Sequence, residues 1–514
     1  MIDGSFQRAV FLFLKGAKER KNAIYFLAAC LNFVIFNLNF VIPRLVIQIP
    51  LHMRTYQNIY LILLLFVVRA NSQVLTIKEA VQTALNNYST IKAKTDYMRA
   101  SEASIKQASL EYLPNLNIAA QHAYGTINGQ FGPAFPIGGL SIASSGPPFP
   151  QQNWNAAFGA LYLANLNWDF FAFGRVRERI NLAKAETHRD SDDLEQEKFQ
   201  HQVRVAGVYL NLLAAQRLTL SQQRNLDRAN ALREVVIARA LNGLNPGVDS
   251  SQANAEVSNA KIALNIAINF EAEQASQLAQ LMGIPDKYFV LDTSFVNIIP
   301  KSMYDTVALE ENEHPVLKFY QSRIAVSKQQ EKYFDRFKYP AFSFVGAVQS
   351  RGSGFHANYN ELNPSAFSKD YLEGIKPTRT NYLFGIGASW NLTDIKRVQQ
   401  QLTAQRWTSH GLQNEYELVS QQIKSQLHLA EQKMNIAIAN YNEAPIQMKA
   451  ASDTYLQRSV LYKNGLTNIV DVTQALFTLN RAEIDRDIST NNVWQALLLK
   501  AAASGDFGMF INEF

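Results

Sequence analysis

Two stretches of the chain, NGLNPGVDSSQA at 242–253 and NGLTNIVDVTQA at 464–475, follow one pattern at an offset of 222 residues (464 − 242). The same offset relates Arg175-Val176 to Arg397-Val398 and Trp168 to Trp390. Unrelated sequence would not keep one offset over so long a stretch. The chain is therefore predicted to contain two copies of one structural unit, at 73–290 and 302–514, joined by a linker at 291–301.

Both copies predict the same order of elements, with long helices whose apolar residues are spaced four and three apart, as in coiled coils. The first copy has a predicted helix at 76–112, strands at 115–124 and 156–168 around a loop at 125–153, and helices at 175–241 and 249–282. The second has a helix at 302–338, strands at 341–349 and 382–392 around a loop at 350–380, and helices at 397–463 and 471–503. At about 1.5 Å per residue, each of the longest helices would extend over about 100 Å.

The leader at 1–72 is predicted to direct export and not to join the fold. Ile59–Val68 is an apolar run between Met53-Arg54 and Ala70-Asn71-Ser72, the pattern of a secretory signal peptide. The run is too short for a membrane-spanning helix. Two interpretations of the upstream part stay open: translation starts at Met53, or Leu27-Ala28-Ala29-Cys30 is a lipoprotein signal with a lipid on Cys30.

Charge and cysteine content exclude several function classes. The net charge of +6 lies in the leader, which has eight Lys or Arg and two acids (8 − 2 = 6), so the remainder is neutral. A nucleic-acid partner is therefore not predicted. Cys30 is the only cysteine, so 73–514 cannot contain disulfides, iron–sulfur clusters or Cys-ligated zinc. No nucleophile or phosphate-binding motif is present, and we expect neither an enzyme nor a cofactor.

The four strands have the length and the alternation of membrane-spanning β-strands, which need 9–11 residues. The side chains predicted to face lipid are Phe158, Tyr162, Trp168, Phe342, Phe344, Tyr382, Phe384 and Trp390. Lipid offers no hydrogen-bond partners, so an open four-stranded sheet is not allowed there. Closure would need a dimer with eight strands or a trimer with twelve. The alternative is a small soluble sheet packed on the helices.

The chain resembles the TolC-like outer-membrane efflux protein family across 73–514, most specifically at the two tips quoted above. The resemblance implies a mixed α/β membrane protein: a homotrimer with a twelve-stranded β-barrel in the bacterial outer membrane, joined to a twelve-helix α-barrel in the periplasm. It implies a passive exit duct for drugs, toxic ions or proteins. The implied partners are a periplasmic adaptor, an inner-membrane pump reached through it, and outer-membrane lipid.

The resemblance also implies roles for tip residues. The residues expected to seat the adaptor are Asn242, Gly243, Leu244, Asn464, Gly465 and Leu466. In the family's periplasmic gate a Tyr and an Arg near the second tip bind an Asp of the first. Tyr462 and Asp249 match, but Thr467 occupies the Arg position. Asp471 matches one position of an acidic ring, and Gln474 replaces the acid of the next. We therefore expect neither a strong ionic lock nor a strongly cation-binding ring.

A structural explanation exists for the two aspartates. Asp249 and Asp471 each precede a predicted helix, and each has Gln three residues later, which is the spacing of a capping box. Both are predicted to be N-caps, with or without a role in the gate. The competing function is that of an exported periplasmic coiled-coil scaffold without a channel.

Overall fold

The computed structural model describes residues 74–129, 148–296, 298–304 and 313–514. The chain divides into two units, 1–73 and 74–514, and every described residue belongs to the second. The predicted leader lies outside the described residues. So do 130–147 of the predicted loop and 305–312 near the start of the predicted helix at 302–338.

The described residues contain long helices and one sheet. The helices are α1 Ile77–Asn87, α2 Ser89–Leu110, α3 Arg175–Leu241, α4 Gly247–Met282, α5 Pro315–Asp335, α6 Tyr371–Ile375, α7 Asp394–Lys463, α8 Ile469–Ser504 and α9 Gly508–Ile511. The strands are β1 Asn115–Thr126, β2 Ala156–Phe171, β3 Ala341–Ser353 and β4 Arg379–Ser389. Short 3₁₀ helices occupy Lys301–Tyr304 and Arg336–Lys338.

The helix predicted at 76–112 is divided at Tyr88. Thr76 and Glu79 form the predicted capping box at its start, with the two side chains bonding each other's backbone N–H at 3.2 Å. Tyr88 itself is extended, with φ −63° and ψ 121°, and its ring stacks on His201 with 3.8 Å between ring centroids. The break therefore places an aromatic ring against α3, a contact that the local helical pattern cannot indicate.

The helix predicted at 302–338 is also shorter than expected. Its regular part begins at Pro315, the first helical residue, where the missing N–H of proline has no cost. His314 is the N-cap, and its Nδ1 accepts a hydrogen bond from Val316 N–H at 3.2 Å.

The sheet is antiparallel with strand order β1-β2-β3-β4, and β2 and β3 extend beyond their predicted ends. The registers place even-numbered residues opposite even-numbered ones throughout, as in Ile118↔Ala164 and Val348↔Tyr382, with an irregularity between Trp168 and Phe171. Among the described residues no strand pairs with the outer edge of β1 or of β4. The sheet thus has two open edges.

The two faces of the sheet differ in chemistry, because side chains alternate along each strand. The even-numbered face includes Leu116, Ile118, Ala164, Leu166, Phe342, Phe344, Val348, Tyr382, Phe384 and Ile386. The odd-numbered face includes Asn115, Asn117, Gln121, Asn165, Asn167, Gln349, Arg351, Arg379 and Asn381. One face is apolar and the other polar, the pattern expected between lipid and an aqueous lumen.

The lipid-facing prediction is narrowed at the end of the sheet farther from the long helices. There α6 packs on the apolar face. Tyr371 contacts the Phe158 ring with 5.1 Å between centroids, and the Tyr162 hydroxyl donates to the Ile375 carbonyl at 3.1 Å. The parts of Phe158 and Tyr162 under α6 are covered by this chain and not open to lipid. Trp390 lies one residue after β4.

Two tryptophans make equivalent contacts in the two halves. Trp168 Nε1 donates to the Tyr112 carbonyl at 2.8 Å, and Trp390 Nε1 donates to the Lys338 carbonyl at 3.1 Å. Each acceptor lies two residues before a proline that precedes the paired strand, Pro114 or Pro340. The correspondence supports the predicted duplication.

The long helices pair as two hairpins, α3 with α4 and α7 with α8. The 67-residue α3 and 70-residue α7 each span about 100 Å at about 1.5 Å per residue. No helix within the described part of the chain is both long and apolar enough to span a membrane. The largest apolar cluster lies where α1, α3, α4 and α8 meet, around the fully buried Tyr209, whose hydroxyl donates to the Leu75 carbonyl at 2.8 Å.

Two buried histidines make the stability of this region sensitive to acid. His201 Nε2 bonds the Leu281 carbonyl at 3.0 Å, and its Nδ1 is buried without a partner. Burial lowers the pKa of His201 and of His314 below the ordinary 6.5. Below about pH 6.5 the unfolded chain therefore binds protons that the folded chain does not, and stability falls.

We expect the thermal unfolding midpoint, followed by the helical circular dichroism signal, to fall between pH 7.5 and pH 5. His201→Gln should reduce this fall, because glutamine stays neutral and its amide can still donate to the Leu281 carbonyl. His410→Gln, at an exposed histidine of α7, is the control for loss of an imidazole. An unchanged pH dependence in His201→Gln would contradict the assignment.

Candidate functional site

The tips joining α3 to α4 and α7 to α8 end in the same backbone geometry. Gly243 and Gly465 have φ of +70° and +75°, which glycine adopts without steric cost. The next residues close the turn, with Leu244 N–H and Leu466 N–H each bonding a carbonyl of the last helical turn at 2.9 Å. Glycine therefore ends both helices, in the manner of a Schellman motif.

The tips present apolar side chains to solvent in the single chain. Leu244 is 66% exposed and Leu466 is 72% exposed. Asn242 and Asn464 are exposed beside them, and each donates its side-chain amide to a carbonyl of its own helix, at 2.7 and 2.9 Å. Each tip therefore carries one leucine with an uncovered apolar surface.

The predicted N-caps are wrong. Helix α4 begins at Gly247 after Pro246, so Asp249 is its third helical residue. Helix α8 is capped by Asn468, whose side-chain oxygen accepts from Asp471 N–H at 2.9 Å. The aspartates lie inside the first turn, where a negative charge favours the positive end of the helix dipole.

Asn245, which sequence analysis did not single out, joins the two tips. Its Nδ2 donates to Asp249 Oδ2 at 2.7 Å and to the Tyr462 hydroxyl at 2.8 Å. Tyr462 is 1% exposed. Its burial, together with the nearby Asp249 carboxylate, raises the pKa of Tyr462, so the hydroxyl stays protonated. The predicted partners Tyr462 and Asp249 are therefore linked through an amide.

An arginine completes the arrangement, but it comes from the first tip. Arg239 Nε donates to Asn245 Oδ1 at 2.9 Å, and its Nη1 donates to the Lys463 carbonyl at 2.7 Å. Its guanidinium also lies over the Tyr462 ring, 5.6 Å from the centroid. We call Arg239, Asn245, Asp249 and Tyr462 the tip network. Thr467 at the family's Arg position is thus accompanied by an arginine on α3.

The network lies beside a small apolar cluster contributed by all four long helices. Its members are Leu232, Val236, Ala253, Tyr462, Ile469 and Val472. Because Tyr462 belongs both to this cluster and to the tip network, separating the hairpins would expose apolar surface and break buried hydrogen bonds together.

Asp471 belongs to a separate group on the second tip. Thr467 Oγ1 donates to Asp471 Oδ2 at 2.6 Å, and Arg458 Nη1 lies 3.4 Å from the same oxygen. Both charged side chains are more than 40% exposed, so solvent weakens this ion pair. Gln474 is exposed one turn further along α8. Asp471 and Gln474 therefore lie outside the tip network.

Farther from the tips, an ion pair also connects α3 to α8. Arg228 donates from Nη1 and Nη2 to the two oxygens of Glu483, at 3.0 and 2.8 Å. Glu483 is buried, and the Ser221 hydroxyl lies 3.4 Å from its Oε2. Breaking one side of such a pair would leave a buried charge uncompensated, so it resists separation of the hairpins at this level.

No grouping of His, Cys, Asp and Glu suited to holding a metal ion occurs among the residues that the structure describes.

Residues 80–284 match the model of the family described as outer membrane efflux protein. No curated protein sequence matches the chain. The fold is similar to that of three solved proteins, each aligned over 84% of this chain. They are the outer-membrane protein VceC from Vibrio cholerae (16% identity, 96% of that chain, TM-score 0.63), the outer-membrane channel CmeC of Campylobacter jejuni (13%, 85%, 0.67) and the outer-membrane channel MtrE of Neisseria gonorrhoeae (14%, 89%, 0.62).

These matches confirm the resemblance to the TolC-like outer-membrane efflux protein family that the sequence predicted. The family match covers most of the first predicted copy, and the shared fold extends the likeness over both. The matched proteins are channels or efflux proteins and not enzymes.

We expect Asn245→Ala to loosen the tips, because Asp249 and Tyr462 both lose their bond to one amide. An unpaired buried group costs about 1–3 kcal/mol, so amide hydrogen exchange at Gly465 and Leu466 should accelerate about tenfold or more. Asn242→Ala is the matched control, since it removes only a bond within the first tip. Equal exchange rates in Asn245→Ala and Asn242→Ala would show that the tip network does not hold the hairpins together.

Proposed function

We propose that this chain, whose resemblance to the TolC-like outer-membrane efflux proteins has just been established, is the exit duct of an efflux or secretion system. It conducts drugs, ions or proteins passively from the periplasm to the exterior. The observation that carries the proposal is the sheet, which has an exposed apolar face, a polar face and two open edges. A soluble scaffold would not leave side chains such as Tyr382, 78% exposed, on an uncovered apolar sheet face.

A homotrimer supplies the missing strand partners. The open edges of β1 and β4 are unpaired rows of backbone N–H and C=O groups, which a lipid environment does not tolerate. Pairing β1 of one chain with β4 of the next closes a ring. Three chains give the twelve strands and twelve long helical segments that the family resemblance implies. The two predicted repeats each contribute two strands and one helical hairpin.

Apolar residues left exposed on the helices support contact between chains. Those on α7 and α4 include Leu418, Leu429, Ile436, Ile446, Leu456, Ile262, Ile266 and Phe270. They extend along much of both hairpins. A neighbouring hairpin would cover such stripes over the length of a helical barrel, as heptad faces require.

The tip network is the proposed gate, with the barrel in the outer membrane and the tips in the periplasm. Opening would separate the α7–α8 hairpin from the α3–α4 hairpin. Asn245 and Arg239 connect these hairpins through Tyr462 and the Lys463 carbonyl. A periplasmic adaptor that bound the exposed tip leucines, Leu244 and Leu466, would act next to this network. An inner-membrane pump would connect through that adaptor.

The proposal is tested by separating inner and outer membranes and measuring the mass of the detergent-extracted protein by light scattering. We expect the protein in the outer-membrane fraction, with a mass of three chains. Reconstituted into planar bilayers, it should conduct ions, and Asn245→Ala should raise the open probability while Asn242→Ala should not. A monomer in the soluble fraction would overturn the duct in favour of the scaffold.

A further inference from the structure

Charged side chains are rare in the sheet, and their placement is uneven. Strand β1 has no Asp, Glu, Lys or Arg, and the other strands contain only Asp169, Arg351 and Arg379. Asp169 lies where β2 approaches the long helices and accepts a hydrogen bond from the Ser343 hydroxyl at 2.5 Å. The two arginines lie at the other end. No carboxylate of the strands accompanies them there.

The arginines are direct neighbours across the sheet. Arg351 of β3 is the register partner of Arg379 of β4, and both are exposed. They belong to the odd-numbered, polar face, one register step beyond Gln349 and Asn381 along that face. Like charges directly opposite on one sheet face are destabilising. The sheet keeps the pair despite this cost, and an anionic ligand would remove it.

The strand geometry locates the pair along the proposed barrel. The register pairs β3 with β4 from Ala341↔Ser389 to Arg351↔Arg379, which is ten residues (351 − 341). At about 3.4 Å per residue this is about 34 Å along the strand. With a tilt of about 40° the height is about 26 Å, close to the apolar band of about 25 Å in such barrels. The arginines therefore lie at the outer rim.

The backbone around the pair is held in place. Thr378 N–H and its hydroxyl both bond the Arg351 carbonyl, at 2.9 and 3.2 Å, which ties the chain entering β4 to the end of β3. Behind them, on the opposite face, Ser350 and Thr380 bond each other through their hydroxyls at 2.7 Å. The two guanidinium groups are thus carried by a fixed corner of the sheet and not by a long loop.

We propose that Arg351 and Arg379 form an anion-attracting collar at the outer mouth of the duct, which binds the carboxylate, phosphate or sulfate groups of solutes on their way out. This inference rests on the proposed function. Guanidinium groups suit these oxyanions because they can offer two parallel N–H donors. In a trimer the collar would contain three such pairs around one lumen.

The test uses the purified protein in planar bilayers of zwitterionic lipid, with citrate as the anionic probe and no lipopolysaccharide present. Citrate added on the outer side should reduce the potassium chloride current. The double variant Arg351→Gln with Arg379→Gln should need about tenfold more citrate for half block. Lys369→Gln, at an exposed lysine outside the strands, should behave as the parent does. Asp471→Asn, at the opposite end, should also leave the outer-side block unchanged.

A second measurement does not depend on conduction. Citrate binding to the detergent-solubilised protein, followed by titration calorimetry, should be lost in the double variant and kept in Lys369→Gln. Equal binding or equal block in parent and double variant would overturn the collar. A protein that binds citrate through these arginines but never conducts would overturn the duct and not the collar. Binding that appears only when lipopolysaccharide is added would show that the pair holds a lipid phosphate instead, and would also overturn the proposal.

Discussion

The pairing of backbone hydrogen-bonding groups at the edges of the sheet is the constraint on which the rest of the structure depends. The sheet has an apolar face and a polar face, and β1 and β4 end it on either side without partners. In lipid such edges must be paired. If other copies of the chain provide that pairing, the polar face encloses a lumen and the helical hairpins continue it. The position of the arginine pair and the location of the tips then follow from one arrangement.

The tips show how one protomer can hold two hairpins together without a direct ion pair between them. Asn245 supplies both donors of its amide, to Asp249 and Tyr462, while Arg239 occupies its oxygen and reaches the second hairpin at the Lys463 carbonyl. The carboxylate, the phenol and the guanidinium are thus connected by one neutral residue. Since Tyr462 is buried in the apolar cluster of the same four helices, hydrogen bonding and apolar burial oppose opening together.

The sequence predicted the elements whose signal is periodic or repeated, which are the four strands, the long helices and the two glycine turns. It could not predict the break at Tyr88, because this depends on stacking against His201 in another helix. It missed Arg239 and Asn245 for a similar reason: their partners, Tyr462 and the Lys463 carbonyl, become neighbours only after the hairpins pack. The error over Asp249 and Asp471 was local, since Pro246 and Asn468 start the two helices earlier than the capping pattern suggested. No periodic pattern indicated that α6 would cover Phe158.

The most direct test of the account is a cysteine cross-link between β1 and β4. Residues 73–514 contain no cysteine, so new pairs can be read without interference. Ala119→Cys would be combined in turn with Leu383→Cys, Gly385→Cys or Gly387→Cys, all on the polar face. Within one chain two strands separate β1 from β4, about 14 Å at about 4.8 Å per strand, which is too far for a disulfide. We predict that oxidation in outer membranes yields a covalent trimer for at least one pair. If every pair stays as single chains, the edges do not meet and the closed duct is contradicted.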